Sequence, residues 1–475
     1  MNGNPVRRYV LRVLCHILFA GLLAIPVVSQ NPGSLSPEMR QKVDDVVHGV
    51  LTVTGAPSAS IAVVKDRQLV YAQAYGNARL EPVLAAKPEM RYSIGSISKQ
   101  FTAAAILLLA EQGKLTLDDP VNKYVPDVTR ADEVTIRQVL SHTSGYQDYW
   151  PQDYVPPFML QSVTAQKILD LWAKKPLDFE PGTKWQYSNT NFVIAGLIVE
   201  KVAGMPLLQF LGQHVFTPLG MTSIADTNEN KLPPTDPAGY LRYGLGPLRP
   251  APKEGKGWMF AAGELAMTAS DLAKWDISIM NQSVLKPASY RQLGTEVLLK
   301  NGVGTGYGLG VEISSVKGHR QLEHSGEVSG FTAENIVLPD DGIAVIVQVN
   351  QDAVGASGQI GRRVRDTLLA QLNPEDEKQR VLAEQIFADL QQGKIDRSRF
   401  KSNANAYFDE QALQDYARGL GSLGLPKSFE QKISEGRGGM TFRAYEVKFP
   451  DRTLGILVYE MPDGKFEQFQ VNMVQ

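Results

Sequence analysis

A chain of 475 residues exceeds the usual size of one hydrophobic core, so two or more domains are expected. A hydrophobic share of 43% and a charged share of 21% exclude a disordered or fibrous polymer. A formal net charge of -2, with no basic block beyond the N-terminus, excludes the electrostatic footprint of a nucleic-acid binder.

The first residues stand apart. Arg7, Arg8 and Arg12 precede an apolar run from Val13 to Val28, which gives way to Ser29 and a polar segment. Positive start, short apolar stretch and small residues describe a secretory signal over 1–29, cleaved near Ser29. The run is short for a membrane anchor, so no stable membrane insertion is expected after cleavage. The mature chain is expected to be secreted or periplasmic, and Arg7-Arg8 leaves general and twin-arginine export both open. Cys15, the single cysteine, lies inside this leader, so the mature chain has neither a disulfide nor a cysteine-ligated metal.

Ser36-Pro37 then supplies a helix cap and a first-turn proline, with Val43, Val46, Val47, Val50 and Leu51 on one face. Two strand-like runs, 60–65 and 68–75, join tightly at Asp66-Arg67 as a hairpin. From about 100 to 290 the pattern is mostly helical, broken by Pro- and Gly-containing loops. Strand signals return at 307–313, 321–324, 332–338 and 343–349, and a helix over 361–372 follows. The predicted class over 30–373 is α/β: an antiparallel sheet built from both ends of the segment and flanked by helices. Its middle forms a mostly helical lobe, and a cleft between the two is a favoured place for a site.

Asn373-Pro374 reads as a boundary and a helix start. A small α+β domain is expected over 374–475. It holds a helix carrying Leu382, Ile386 and Leu390 and ending at Gly393, a second helix near 413–420, and three strand-like runs. The runs are separated at Gly438-Gly439 and at Pro462-Asp463-Gly464. This pattern loosely resembles cystatin-like or NTF2-like accessory domains, and it contains no recognisable nucleophile or ligand set.

Ser96-Ile97-Ser98-Lys99 has the form S-x-x-K, which on a helix sets an ammonium on the same face as a serine oxygen. A serine hydroxyl is a poor nucleophile until a neighbour removes its proton. Alone the motif is weak, since Ser283, Ser314 and Ser398 open three more matches. Only Ser96 follows a strand-like 91–94 and opens an apolar helix, where free backbone N–H groups are on offer. Taken singly, Ser96 reads better as a helix cap, Tyr187 as a core tyrosine, Asn189 as a turn or cap residue and His324 as a strand histidine.

Tyr187-Ser188-Asn189 has the form Y-x-N, and His324-Ser325-Gly326 the form H-x-G. In the order S-x-x-K, Y-x-N, H-x-G, the chain resembles serine β-lactamase-like proteins: class C β-lactamases, D-alanyl-D-alanine carboxypeptidases and related esterases. The resemblance covers about 36–372, including His142-Thr143-Ser144-Gly145, Pro218-Leu219-Gly220-Met221 and the segment 263–272. Tyr75-Gly76-Asn77 and Lys253-Glu254-Gly255 also fit the second and third patterns, but outside that order or off a strand. The resemblance implies an acyl-enzyme on Ser96, with Lys99 and Tyr187 sharing the proton work. It implies that Asn189, His324, Ser325 and Gly326 bind substrate, and that the backbone N–H groups of Ser96 and Glu327 form the oxyanion hole. Which of Lys99 and Tyr187 is the base stays open, because a phenol titrates near ~10 unless adjacent cations favour the phenolate.

The third motif departs from β-lactamases, which carry Lys-Thr-Gly there. A histidine is largely neutral near pH 7, so the fixed cation for a drug's carboxylate is gone. The expected function is a serine hydrolase acting on D-amino-acid peptides or small esters outside the cytoplasm. A β-lactamase and a slowly deacylating penicillin-binding sensor are the alternatives. The expected partner is a small-molecule or peptide substrate, cell-wall peptide among the candidates, with the oligomeric state open. No metal or other cofactor is expected, since the six histidines form no ligand motif and His142 reads as structural. Two aromatic groups, Tyr146, Tyr149, Trp150 and Tyr154, then Tyr240, Tyr243, Trp258 and Phe260, either rim the pocket or pack their own loops.

Overall fold

The structure is a computed structural model and describes residues 34–152, 156–229, 232–372 and 374–473. The leader read at 1–29, the cap Asn373 and the loop residue Tyr154 lie outside the described residues.

The hairpin is where the sequence places it. Asp66 and Arg67 take φ values of 52° and 61°, the doubly left-handed turn whose twist matches that of its flanking strands. It joins Ser58–Lys65 to Gln68–Leu80. Ser58–Lys65 then pairs antiparallel with Ile343–Val349, Ala59 opposite Val349, so the two ends of the segment meet inside one sheet. The strand order is Val83–Ala85, Gln68–Leu80, Ser58–Lys65, Ile343–Val349, Phe331–Leu338, His319–Val328 and Glu312–Val316.

Side chains alternate across this sheet and feed two cores. Ile61, Val63, Val345 and Val347 pack with the helices Pro37–Thr54 and Ala356–Leu372. The first of these helices is capped by Ser36, whose hydroxyl accepts the Met39 N–H at 3.2 Å. Ala62, Val64, Ala344 and Ile346 face the other way, into the core of the helical lobe. The helix Ser98–Glu111 is buried nearly all round, the mark of a central core helix, and it carries the lysine of the first motif into the interior.

The strand read at 307–313 begins only at Glu312. Gly306 and Gly310 adopt positive φ and turn the chain first, which leaves Tyr307 buried beside the sheet instead of on it.

After 373 the chain forms helices Pro374–Gln391, Ser402–Tyr407 and Glu410–Leu420, then four antiparallel strands in sequential order. Ala383, Ile386, Phe387 and Leu390 pack on Ile456, Val458, Phe466 and Phe469, a core separate from the other two. Three strand-like runs become four strands because the middle run breaks between Met440–Lys448 and Thr453–Glu460. Pro450 brings no N–H to a ladder, and the Phe449 N–H closes the turn on the Arg452 carbonyl at 2.9 Å. Among the described residues no single helix is long and apolar enough to cross a membrane.

Candidate active site

The short strand Tyr92–Ser93 runs into a 3-10 turn, Gly95–Ile97, and then directly into Ser98–Glu111. Ser96 therefore sits on a sharp strand-to-helix junction, half-buried at the wall of a cleft of ≈ 570 Å³. Lys99, one turn on, is fully buried. Its Nζ lies 2.9 Å from Ser96 Oγ, 2.8 Å from Asn189 Oδ1 and 2.8 Å from the Ala262 carbonyl. The preceding Ala261 adopts φ 58°, a conformation costing a non-glycine residue about 1 kcal/mol, and its own carbonyl accepts the Thr102 hydroxyl at 2.7 Å.

Tyr187 precedes the helix Asn189–Ala203 and lines the same cleft wall as Ser96, whose hydroxyl acts on its phenol. The Lys99 Nζ stands 5.0 Å from its ring centroid. His142 stacks on the same ring at 4.3 Å, and its Nδ1 accepts the Ser188 N–H at 3.2 Å. His142 thus braces the tyrosine, a more specific role than supporting its own loop.

Burial dominates the titration of these groups. It lowers the Lys99 ammonium to about 7, with Asp148 opposing the shift. It pushes the Tyr187 phenol up from its ordinary value, so the neutral phenol is the form present near pH 7. His142 falls well below its usual range, and His324 to about 3, through burial first and the neighbouring Lys99 second. Neither histidine is a cation here, and neither favours a phenolate.

His324 differs from expectation. Its Nδ1–H donates to the Ser325 carbonyl at 2.6 Å, and its Nε2 accepts the Tyr307 hydroxyl at 2.9 Å. Both ring nitrogens are engaged inside the fold, so hydrogen bonding of a substrate by this imidazole needs one of these bonds to open. Asn189 is likewise engaged: Lys99 uses its oxygen, and its Nδ2 donates to Asp148 Oδ2 at 3.2 Å. Ser325 is exposed on the cleft wall.

Gly326 and Gly95 explain how two backbone segments meet. A Cβ on Gly326 would stand 1.9 Å from the Ile94 carbonyl oxygen and 3.3 Å from Ser96 N. One on Gly95, at φ +52°, would stand 2.7 Å from Glu327 N. Only bare backbone lets the amides of Ser96 and Glu327 lie side by side. Gly326→Ala is expected to force them apart, lowering kcat by at least about 10²-fold and reducing the melting temperature, as read by turnover assay and thermal melt.

The cleft brings together Ser96, Tyr187, Asn189, His324, Ser325 and Glu327, with Lys99 and Gly326 behind its wall. Of the aromatic groups, Tyr149 and Trp150 reach the cleft, whereas Tyr146 and Tyr240 are buried and Tyr243 is exposed away from it. Trp258 packs on Tyr149 at 5.7 Å, and Phe260 lies over Gly196. Tyr149 and Trp150 form part of the rim, whereas the described residues of the second group are mostly loop packing. The decoy Tyr75 belongs to the core on the opposite side of the sheet, bonded to Asp44 at 2.6 Å. Sequence reading missed Asp148, Trp185, Tyr307 and Glu312. None of the four lies in one of the three motifs.

Among the described residues no group of three or more His, Cys, Asp or Glu side chains is placed to hold a metal ion.

Fold and site together define a serine hydrolase of the β-lactamase and penicillin-binding-protein superfamily. The Beta-lactamase family model matches residues 43–369, and the chain belongs to that family. A D-aminopeptidase of Brucella anthropi is 27% identical over 335 residues, which are 70% of this chain and 62% of that enzyme, less than two thirds of its length. A D-stereospecific amidohydrolase from Streptomyces sp. superposes with a TM-score of 0.60 and 26% identity, covering 67% of this chain and 96% of that one. The octameric penicillin-binding protein homologue from Pyrococcus abyssi shares the fold over 92% of this chain and 96% of its own, with TM-score 0.62 and 23% identity.

Proposed function

We propose that Ser96 attacks an acyl carbonyl and that neutral Lys99 takes its proton. The carbon–oxygen bond to Ser96 forms while the carbonyl oxygen gains charge toward the N–H groups of Ser96 and Glu327. Collapse breaks the bond to the leaving group, which receives a proton relayed from Lys99 through the Tyr187 phenol. Water then repeats the sequence on the acyl-enzyme, restoring the Ser96 hydroxyl and releasing the acid. The observation that carries this reading is the 2.9 Å contact between Lys99 Nζ and Ser96 Oγ in a buried setting. An amine held near pKa 7 suits a base working near neutrality, and a phenol pushed upward does not.

The substrates proposed are D-amino-acid peptides, their amides or small esters, met outside the cytoplasm. The names of the D-aminopeptidase and the D-stereospecific amidohydrolase support the first two. The charge of the cleft supports the choice against β-lactams: Glu312, Glu327 and Asp352 line it, and among the described residues no arginine or lysine does. With His324 neutral, a substrate carboxylate meets three acidic neighbours and, among the described residues lining the cleft, no fixed cation. The test compares kcat/KM for D-alanine p-nitroanilide, nitrocefin and a peptide ending in D-alanyl-D-alanine. The anilide is expected to lead by about tenfold or more, since one unfavourable charge contact amounts to roughly 1.4 kcal/mol or above. Preferred turnover of nitrocefin contradicts the reading and revives the β-lactamase.

A further inference from the structure

Asp148 lies on the loop that follows the His142 segment, in contact with the motif residues but belonging to none of them. Its Oδ1 accepts the backbone N–H of Asn189 at 2.9 Å and that of Trp150 at 3.2 Å. Its Oδ2 accepts Asn189 Nδ2 at 3.2 Å. A carboxylate can only accept, so it holds the amide nitrogen of Asn189 toward itself and the amide oxygen toward Lys99. That oxygen receives one N–H from Lys99, and the Ala262 carbonyl receives another.

A neutral amine has two hydrogens and one lone pair. With both hydrogens claimed by groups that cannot donate, the lone pair is left facing the third neighbour, Ser96 Oγ. Were the Asn189 amide turned over, its NH₂ would face Lys99 and compete for that lone pair. We propose that Asp148 is a positioning residue, locking the Asn189 amide so that the Lys99 lone pair points at the Ser96 hydroxyl. This rests on the reading of Lys99 as the base and adds the reason its lone pair is aimed.

Asp148 also bears on the charge of that base. Lys99 faces Asp148 and the Tyr187 ring, with His142 and His324 close by and both neutral. Asp148 in turn faces Lys99, Tyr149 and Tyr187. Burial pushes its carboxyl up to about 6, with hydrogen bonds from Trp150 and Asn189 opposing the shift. Its negative charge favours the Lys99 ammonium, so removing that charge lowers the lysine further.

Asp148→Asn tests the lock. Two backbone N–H groups meet at the Oδ1 position and demand an oxygen there, which sends the new NH₂ toward Asn189 and turns that amide over. The expected result is a fall in kcat on the order of 10²-fold with KM changed by less than about twofold. The acid limb of kcat/KM is expected to move to lower pH. In an Asn189→Ala background the same substitution is expected to change kcat by less than about threefold, because the residue it acts through is gone. A merely structural Asp148 tolerates its isostere, so an unchanged kcat with an unmoved limb overturns the proposal, as does an equal loss in both backgrounds. If Asp148→Asn does not fold, Asp148→Ala reads the same limb: a downward shift supports the proposal, and no shift with normal kcat overturns it. Fluorophosphonate labelling separates the two layers. A Ser96 adduct retained in Asp148→Asn leaves the nucleophile standing, whereas no Ser96 adduct in the wild type removes the reading beneath.

Discussion

Lys99→Met is expected to lower kcat by on the order of 10³-fold while KM stays within about threefold of the wild type. The methionine fills the same buried channel but offers no basic nitrogen to Ser96 and no N–H to Asn189 or Ala262. The pH profile identifies the base. With Lys99 lowered to about 7, kcat/KM in the wild type rises as pH climbs through that value, because only the neutral amine accepts a proton. A limb far into the alkaline range points to Tyr187 instead, whose phenol burial pushes upward.

The same shift predicts a stability effect. Lys99 binds its proton more weakly in the folded chain than in the unfolded one, where a lysine titrates near ~10.4. The buried amine therefore costs nothing above that unfolded value. The penalty grows as pH falls from there toward about 7, and is fully developed below. Melting curves of wild type and Lys99→Met are expected to diverge across that window, the wild type losing ground as pH falls. A constant difference from pH 10 to pH 6 contradicts the lowered lysine.

Ser96→Ala is expected to abolish turnover of every ester or anilide that the wild type hydrolyses, a loss on the order of 10⁶-fold. Its Cβ already exists in serine, so the junction Gly95–Ile97 and the helix behind it keep their backbone. Only the oxygen facing Lys99 disappears, and the melting temperature is expected to change by a few degrees at most. A variant that keeps more than about one hundredth of wild-type kcat contradicts a covalent route through this hydroxyl.

The site was legible in the sequence as far as its chemistry lay in short ordered motifs. Ser96, Tyr187 and Asn189 stand on junctions marked by local pattern, and the core helix behind Ser96 announced itself by its apolar run over 103–110. What escaped was relational. Nothing in the sequence marks Asp148 as bonded to a residue 41 positions on, or Tyr307 as the partner of His324, because these contacts exist only once distant stretches of chain have packed together. His324 looked like a hydrogen-bonding group for substrate, yet its neighbours in the fold take both nitrogens. In the fold, the hairpin turn and the strand Ile343–Val349 were plain from pattern. The split of the C-terminal strands was missed because Pro450-Asp451 lies within a run of otherwise strand-forming residues.

The central assertion is that one hydroxyl, activated by one buried amine, is the reactive group of this protein. Intact-mass and peptide-level spectrometry after brief exposure to a fluorophosphonate reads it directly, with wild type and Ser96→Ala side by side. A single adduct on the peptide bearing Ser96, absent from the variant and forming faster as pH rises through about 7, is the predicted result. Equal labelling of both proteins, or an adduct mapped to another serine, contradicts it.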